Sequence, residues 1–289
     1  MKPLPLASLV VAVLGGAIAV LAWFAFPSPE ARYGQVIHEE RSAYSFLRVR
    51  ERGTVKNLLF VDESGEEQCQ SSVDLAAPGN LRLGYTRGLL LSLLHRDPQR
   101  RVLILGLGGG GMVRFLGHHF PATVVEAVEI DPAVVGVARS HFGISEGPAV
   151  HLHTADAFDF VAETAETYDA IYLDAFLRAP EASGLEEKTR RLRTREFLHQ
   201  LRDRLTPGGL VAFNLIAADP RTEEDLAAIR EVFPGMGRFA VPESGNLVVI
   251  APREGAIPGP EEWGKRAAEF DARHDLGFSL VDFAKARLE

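Results

Sequence analysis

The chain has 289 residues, 46% of them hydrophobic, which is enough for a full α/β domain with a smaller module beside it. Its net charge of −8 speaks against sequence-independent nucleic-acid binding, which needs a positive field to displace counterions from phosphates. A single cysteine, Cys69, excludes an internal disulfide, and no Cys/His cluster has the spacing of a structural zinc site, so no metal is expected.

Leu4 to Phe26 is an uncharged run of 23 residues. As a helix it would reach about 35 Å, the thickness of a bilayer. An uncleaved transmembrane anchor over residues 1–29 is the preferred reading. The alternative is a cleaved signal peptide, but cuts after Ala25 or Ala31 would leave Trp23 or Pro29 at a position that needs a small residue. Lys2 on one side and Arg32 and Arg41 on the other leave the orientation open.

Beyond Pro27-Ser28-Pro29, residues 30–97 read as a small β-rich domain with a linking helix. Phe46 to Arg50 and Leu58 to Val61 are strand-like, separated by Gly53, and the second run ends at the turn Glu63-Ser64-Gly65-Glu66, which predicts a small antiparallel sheet. Asn80 to His95 turns helical, with Leu83, Leu90, Leu91 and Leu94 on its apolar side, and Asp97-Pro98 ends it.

Residues 98–255 carry the main domain. Arg101 to Leu105 is an apolar strand, and the loop Gly106 to Gly111 leads into a helix at Met112. Thr123 to Ile130 is the second strand, with Asp131 as N-cap, Pro132 at the first helical position and Gly143 at the C-terminal end. Further strands read at Ala149 to Thr154, Tyr168 to Asp174 and Leu210 to Ile216, and this alternation predicts a parallel sheet covered on both faces, a Rossmann-like α/β fold. Thr222 is expected to cap a helix running to about Phe233. Arg238 to Pro242 turns at Ser244-Gly245-Asn246 into Leu247 to Ala251, adding an antiparallel edge, and residues 256–289 form a helical C-terminal tail.

The glycine loop lets a ligand approach backbone NH groups, and the absence of Gly-Lys-Ser/Thr argues against a P-loop. Gly106, Gly108 and Gly110 are its candidate binding positions. Glu129 ends the second strand 23 residues after Gly106, where a carboxylate can accept hydrogen bonds from both ribose hydroxyls, as dinucleotide-binding enzymes also arrange it. Asp156-Ala157 follows the third strand, placed either to receive an adenine amino group or to cap a helix. Asp174 ends the fourth strand at the carboxyl edge of the sheet and is the catalytic candidate. His118, His119, His151 and His153 have no ligand spacing, and Lys188 to Arg195 reads as a solvated face or loop.

Taken in order, VLILGLGGGG, VEAVEIDPAVV, TADAFDF, YDAIYLDAF and LTPGGLVAFNL resemble the spermidine synthase (polyamine aminopropyltransferase) family, and more closely its membrane-associated branch. YTRGLLLSLL from Tyr85 and the hairpin near SGNLVVIAP extend the likeness over most of the chain. The resemblance implies the fold of class I S-adenosylmethionine-dependent methyltransferases. It also implies a glycine loop cradling the methionine-derived part of decarboxylated S-adenosylmethionine or S-adenosylmethionine, a ribose-binding Glu129, Asp156 at the adenine, and a catalytic Asp174. Gln70 matches a glutamine that reaches over the nucleoside from the small sheet, although Asp62 to Gln68 departs from the family's Asp-Gly turn.

Three departures bear on the acceptor. Gly109 replaces an aspartate of the glycine loop, Tyr85-Thr86-Arg87 replaces Tyr-His-Glu, and Leu177 replaces a second aspartate after the catalytic one. Burying a diamine without paired carboxylates is expensive, and Arg87 is expected to worsen it, so putrescine is a poor candidate for the small-molecule acceptor. The leading expectation is a membrane-anchored, spermidine-synthase-like transferase in polyamine biosynthesis, its catalytic domain cytoplasmic because S-adenosylmethionine is a cytosolic metabolite. A methyltransferase of unknown acceptor is the second reading and a non-catalytic nucleoside-binding membrane protein the third. The resemblance admits a homo-oligomer, for which the sequence shows no interface.

Overall fold

Strict alternation of side chains along the strands of the main domain sorts its core into two layers. In β5 (Arg101–Leu105) Val102 and Ile104 pack on one face while Leu103 and Leu105 pack on the other, all within 2% of full burial. The computed structural model describes residues 27–175, 188 and 190–288. Among these no helix is long and apolar enough to cross a membrane, and the apolar run Leu4–Phe26 lies outside them.

The small module is a four-stranded antiparallel sheet in sequential order, β1 (Gln35–Arg41), β2 (Phe46–Arg52), β3 (Val55–Val61) and β4 (Glu67–Asp74), following a short helix α1 (Pro29–Tyr33). The sequence pattern located β2 and β3. It missed β1, whose residues are mostly exposed and therefore show no alternation. The helical stretch after the sheet is shorter than expected, an α-helix α2 (Gly84–Leu89) continued by a 3₁₀ turn at Leu90–Leu94.

In the main sheet β5, β6 (Val124–Glu129), β7 (Val150–Thr154), β8 (Tyr168–Leu173) and β9 (Leu205–Ile216) run parallel. An antiparallel hairpin, β10 (Gly237–Ala240) and β11 (Asn246–Pro252), adds to β9, and β12 (Arg287–Leu288) closes the edge beyond β10. The order β12-β10-β11-β9-β8-β5-β6-β7 is that of a Rossmann-like sheet of the class I methyltransferase type. Helices α3 (Gly111–His119), α4 (Pro132–Phe142), α5 (Ala157–Glu163), α6 (Arg195–Asp203) and α7 (Thr222–Val232) supply the crossovers. The residues read as a helical tail hold α8 (Pro260–Asp271) and α9 (Leu280–Ala284), whose Trp263, Phe270 and Leu280 complete one core layer.

Two local expectations are corrected. Thr222 is the first residue of α7 and not its cap; its hydroxyl donates to the Ile216 carbonyl at 2.7 Å, fixing the end of β9 instead. The charged run from Lys188 is not simply a solvated face, because Lys188 pairs with Asp156 at 3.0 Å and Arg193 with the buried Asp225 at 2.6 Å.

Asp131 joins the two modules. One carboxylate oxygen caps α4 by accepting from the Ala133 NH at 2.9 Å, and the other accepts from the Ser42 and Ser45 hydroxyls of the β1–β2 turn at 2.6 and 2.8 Å. Beneath it Ala133, Val134, Val137 and Phe142 of α4 pack against Leu47, Val49, Leu58 and Val73 of the small sheet. With Asp131 only 1% exposed, Asp131→Ala removes a helix cap and two charge-assisted hydrogen bonds together. The expected loss is roughly 3 kcal/mol of unfolding free energy in urea titration, and most of it should recur in a Ser42→Ala/Ser45→Ala double variant.

Candidate functional site

Strand order reverses between β5 and β8, since β6 lies on one side of β5 and the later strands lie on the other, and open α/β sheets bind ligands at such a point. The loops leaving β5 and β8 therefore meet. The Asp174 NH donates to the Leu105 carbonyl at 2.9 Å, and a Cβ on Gly106 would lie 2.5 Å from the Asp174 carbonyl oxygen. Gly106 has φ +102°, so both its conformation and its surroundings demand glycine. Gly108 faces Ser71 of β4, which brings the small sheet over the loop.

A cleft of about 660 Å³ opens there, and Gln70, Gly106, Gly108, Glu129, Asp156, Ala157 and Asp174 all line it. Gly110 does not. It caps α3 in a left-handed conformation with Ile144 filling the space where its side chain would be, so it shapes the turn and does not meet a ligand in the cleft. Arg87 is likewise absent from the cleft: its Nε donates to the Leu81 carbonyl at 2.6 Å and its guanidinium lies over the Phe278 ring. It cannot repel an acceptor in the way the sequence suggested. Leu177 lies outside the described residues.

Glu129 accepts the Leu107 NH on one oxygen and the Asp131 NH on the other, each at 3.0 Å. Burial pushes its pKa up while these backbone donors pull it down. The Gly108 NH also approaches this carboxylate, and its remaining acceptor capacity borders the cleft, where ribose hydroxyls can donate. Asp156 caps α5 through the Phe158 NH at 3.0 Å, as one of its two readings expected, and it also lines the cleft. Its second oxygen holds Lys188, which lines the cleft as well.

Asp174 is half-buried at the cleft beneath the loop, and desolvation raises its pKa to about 7, against hydrogen bonds from Asn214 and Tyr85 that lower it and the Glu129 charge that raises it. Asn214 donates to Asp174 at 2.8 Å and in turn accepts from Asn246 at 2.8 Å, so a chain of two amides from β9 and β11 orients the carboxylate. Tyr85, whose hydroxyl donates to the Gln70 carbonyl at 3.4 Å, also contacts the Asp174 carboxylate, and burial holds its own pKa well above the usual phenol value. Sequence reasoning missed both asparagines. The available signal was one polar residue inside the apolar run of β9, where a buried amide needs a partner.

The Nε2 of Gln70 donates to the Gln68 carbonyl at 3.3 Å, and its backbone lies next to Gly108. Among the described residues no group of three or more His, Cys, Asp or Glu side chains is placed to hold a metal ion.

The family model of the spermine/spermidine synthase domain matches residues 84–233. A polyamine aminopropyltransferase of Chromobacterium violaceum is 32% identical over 237 residues, which cover 80% of this chain and 86% of that protein. Human methyltransferase-like protein 13, solved in complex with SAH, matches with a TM-score of 0.57 at 26% identity, over 68% of this chain and 96% of that one. A spermidine synthase solved in complex with the transition-state analogue AdoDATO matches with a TM-score of 0.66 over 89% of this chain and 86% of that one; at 18% identity this likeness concerns the fold.

The raised pKa of Asp174 has a consequence for stability. Between the ordinary carboxylate value of 3.8 and about 7, the folded state binds a proton that the unfolded state has released. Stability therefore falls as pH rises through this window and levels off above it. Urea titrations from pH 4 to 8 should show wild type losing on the order of 4 kcal/mol relative to Asp174→Asn, whereas parallel curves would mean that the carboxyl is not held protonated.

Proposed function

Because the chain belongs to the spermine/spermidine synthase family, we propose that it is a transferase that acts on a carbon–sulfur bond of an S-adenosyl sulfonium nucleoside. The observation that carries this reading is the meeting of three elements in one cleft: a glycine loop with open backbone, Glu129 with free acceptor positions, and Asp174 set against Gly106. Gly106, Gly108 and Glu129 hold the nucleoside, Gln70 covers it, and Asp156 with Ala157 borders the adenine.

The lone pair of an acceptor attacks a carbon bonded to the sulfonium. The new bond forms as the carbon–sulfur bond breaks, and that electron pair returns to sulfur, leaving a neutral thioether. The acceptor's proton passes to the Asp174 carboxylate. A carboxylate titrating near 7 is matched to this task, since it is half ionised at neutral pH yet basic enough to accept a proton from an ammonium made acidic by attack. Most of the acceleration would come from holding the two reactants in line.

The acceptor differs from a diamine. A side chain on Gly109 would meet the Phe142 ring at 2.9 Å and the Ser71 hydroxyl at 3.0 Å, so an aspartate has no room there unless both neighbours shift. This favours acceptors other than putrescine, and the SAH-bound methyltransferase relative supports methyl transfer as the second reading. We also propose that Leu4–Phe26 anchors the chain in a membrane with this domain on the cytoplasmic side. A reporter fused after Glu289 should then be active in the cytoplasm.

Two substitutions separate binding from chemistry. Glu129→Ala should weaken S-adenosylhomocysteine binding in calorimetry by about 100-fold. Asp174→Asn should leave that affinity within about threefold but lower turnover by roughly 10²–10⁴, and wild-type kcat/KM should rise with pH around 7. Products are read by mass spectrometry with S-adenosylmethionine and its decarboxylated form as donors. If Asp174→Asn keeps full turnover, the proton acceptor has been misassigned, and if no nucleoside binds, the transferase reading falls.

A further inference from the structure

The wall of the cleft opposite the glycine loop is basic. Arg32 and Arg82 both line it, and among the described residues neither forms an ion pair with a carboxylate. Asp74 feels the charge of Arg82, but it lies beyond salt-bridge distance and outside the cleft lining. Unpaired guanidinium groups at the mouth of a cleft, in a chain whose net charge is −8, are an unusual use of positive charge.

Arg82 is also held in place. The Nε of Arg82 donates to the Ser72 hydroxyl at 2.9 Å, that hydroxyl donates to Asn57 Oδ1 at 2.7 Å, and Asn57 Nδ2 donates to the Tyr33 carbonyl at 3.1 Å. Asn57, only 5% exposed, is the buried middle of this chain. At its far end the guanidinium carbon of Arg32 lies 5.0 Å from the centre of the Tyr33 ring. One hydrogen-bonded line through β3 and β4 therefore orients Arg82, while Arg32, exposed like Arg82, rests on the ring of its neighbour Tyr33 on the same wall. Only the Nε of Arg82 is engaged, so its terminal nitrogens are open to a ligand. Both charges act on the Cys69 thiol between them, which burial nevertheless pushes up to about 11.

Resting on the transferase reading above, we infer that Arg32 and Arg82 form an anion-recognising wall of the cleft, which takes a carboxylate carried by the donor or by the acceptor. Two sources offer that chemistry: the α-carboxylate of intact S-adenosylmethionine, and an acid group on the acceptor. A ligand that brings only ammonium groups meets two cations instead. The acids lining the cleft do not reverse this. Glu129 is turned to the backbone NH groups of the loop, Asp156 is paired with Lys188 and caps a helix, Asp174 is held by Asn214 under the loop, and Glu243, exposed on the β10–β11 turn as both arginines are, is a single charge against two.

The test is calorimetry on the full-length chain with ligand pairs that differ in one charged group. S-adenosylmethionine is compared with its decarboxylated form. 4-Aminobutyrate is compared with 1,4-diaminobutane on protein saturated with 5′-methylthioadenosine. In at least one pair the carboxylate-bearing ligand should bind about tenfold or more tightly, and that pair identifies the source. An Arg32→Gln/Arg82→Gln double variant should reduce the preference to less than about threefold while binding 5′-methylthioadenosine as wild type does. If the double variant loses 5′-methylthioadenosine binding, Arg82→Gln and Ser72→Ala carry the test, and each should reduce the preference in part. Absence of a preference in both pairs, or a preference that survives the substitutions, overturns the inference. Failure of wild type to bind 5′-methylthioadenosine would instead overturn the nucleoside reading on which it rests.

Discussion

The site depends on the approach of Gly106 to the backbone of Asp174, with no room for a methyl group between them. That approach follows from topology. Two parallel strands whose connections leave in opposite directions expose their carboxyl ends side by side, and here the two chain segments that follow touch. The contact places a carboxylate under the glycine loop, partly withdrawn from water at the floor of the cleft. Desolvation then dominates its acidity over the two hydrogen bonds that oppose it, and the result is a group poised to change charge near neutral pH.

Three consecutive residues, Glu129 to Asp131, transmit the fold of the main domain to the wall of the cleft. Glu129 ends β6 and braces the loop at Leu107, while its second oxygen holds the NH of Asp131. The Asp131 side chain starts α4 and grips the β1–β2 turn. Through α4 the small sheet is set in place, and with it Gln70, Ser71 and the Arg82 line. A change at Asp131 therefore reaches the cleft by packing without touching a ligand. The small sheet is a wall of the site as much as a module of its own.

Elements whose signal is local were legible in the sequence. β5 could be read from four apolar residues before glycine, and α4 from Asp131, Pro132 and Gly143, because caps and periodicity are encoded within one turn of the element they define. What escaped the sequence depends on neighbours far along the chain. Gly106 and Gly110 look alike in the motif, yet one faces Asp174 across the cleft floor and the other faces Ile144 in the core. Arg87 precedes a buried helix turn, and only the rotation of that helix decides that its guanidinium leaves the cleft for Phe278. Lys188 reads as a solvated charge until Asp156, 32 residues earlier, is brought against it. The candidate acids share one site for a different reason: each ends a parallel strand, and the strand-ending rule is a property of the fold that alternation already announces.

Both signs of charge line the cleft. Glu129, Asp156 and Asp174 keep their carboxylates there, each held by hydrogen bonds or an ion pair. In the same cleft Arg82 is held through Ser72 and Asn57, Arg32 lies over the Tyr33 ring, and Lys188 pairs with Asp156. A dicationic acceptor would give up its hydration for a wall that repels it, and no pair of acids among the described lining residues is free to offset that cost. A sulfonium would add only one positive charge to these surroundings, and attack would move that charge to the acceptor, from which the Asp174 carboxylate would remove it as a proton.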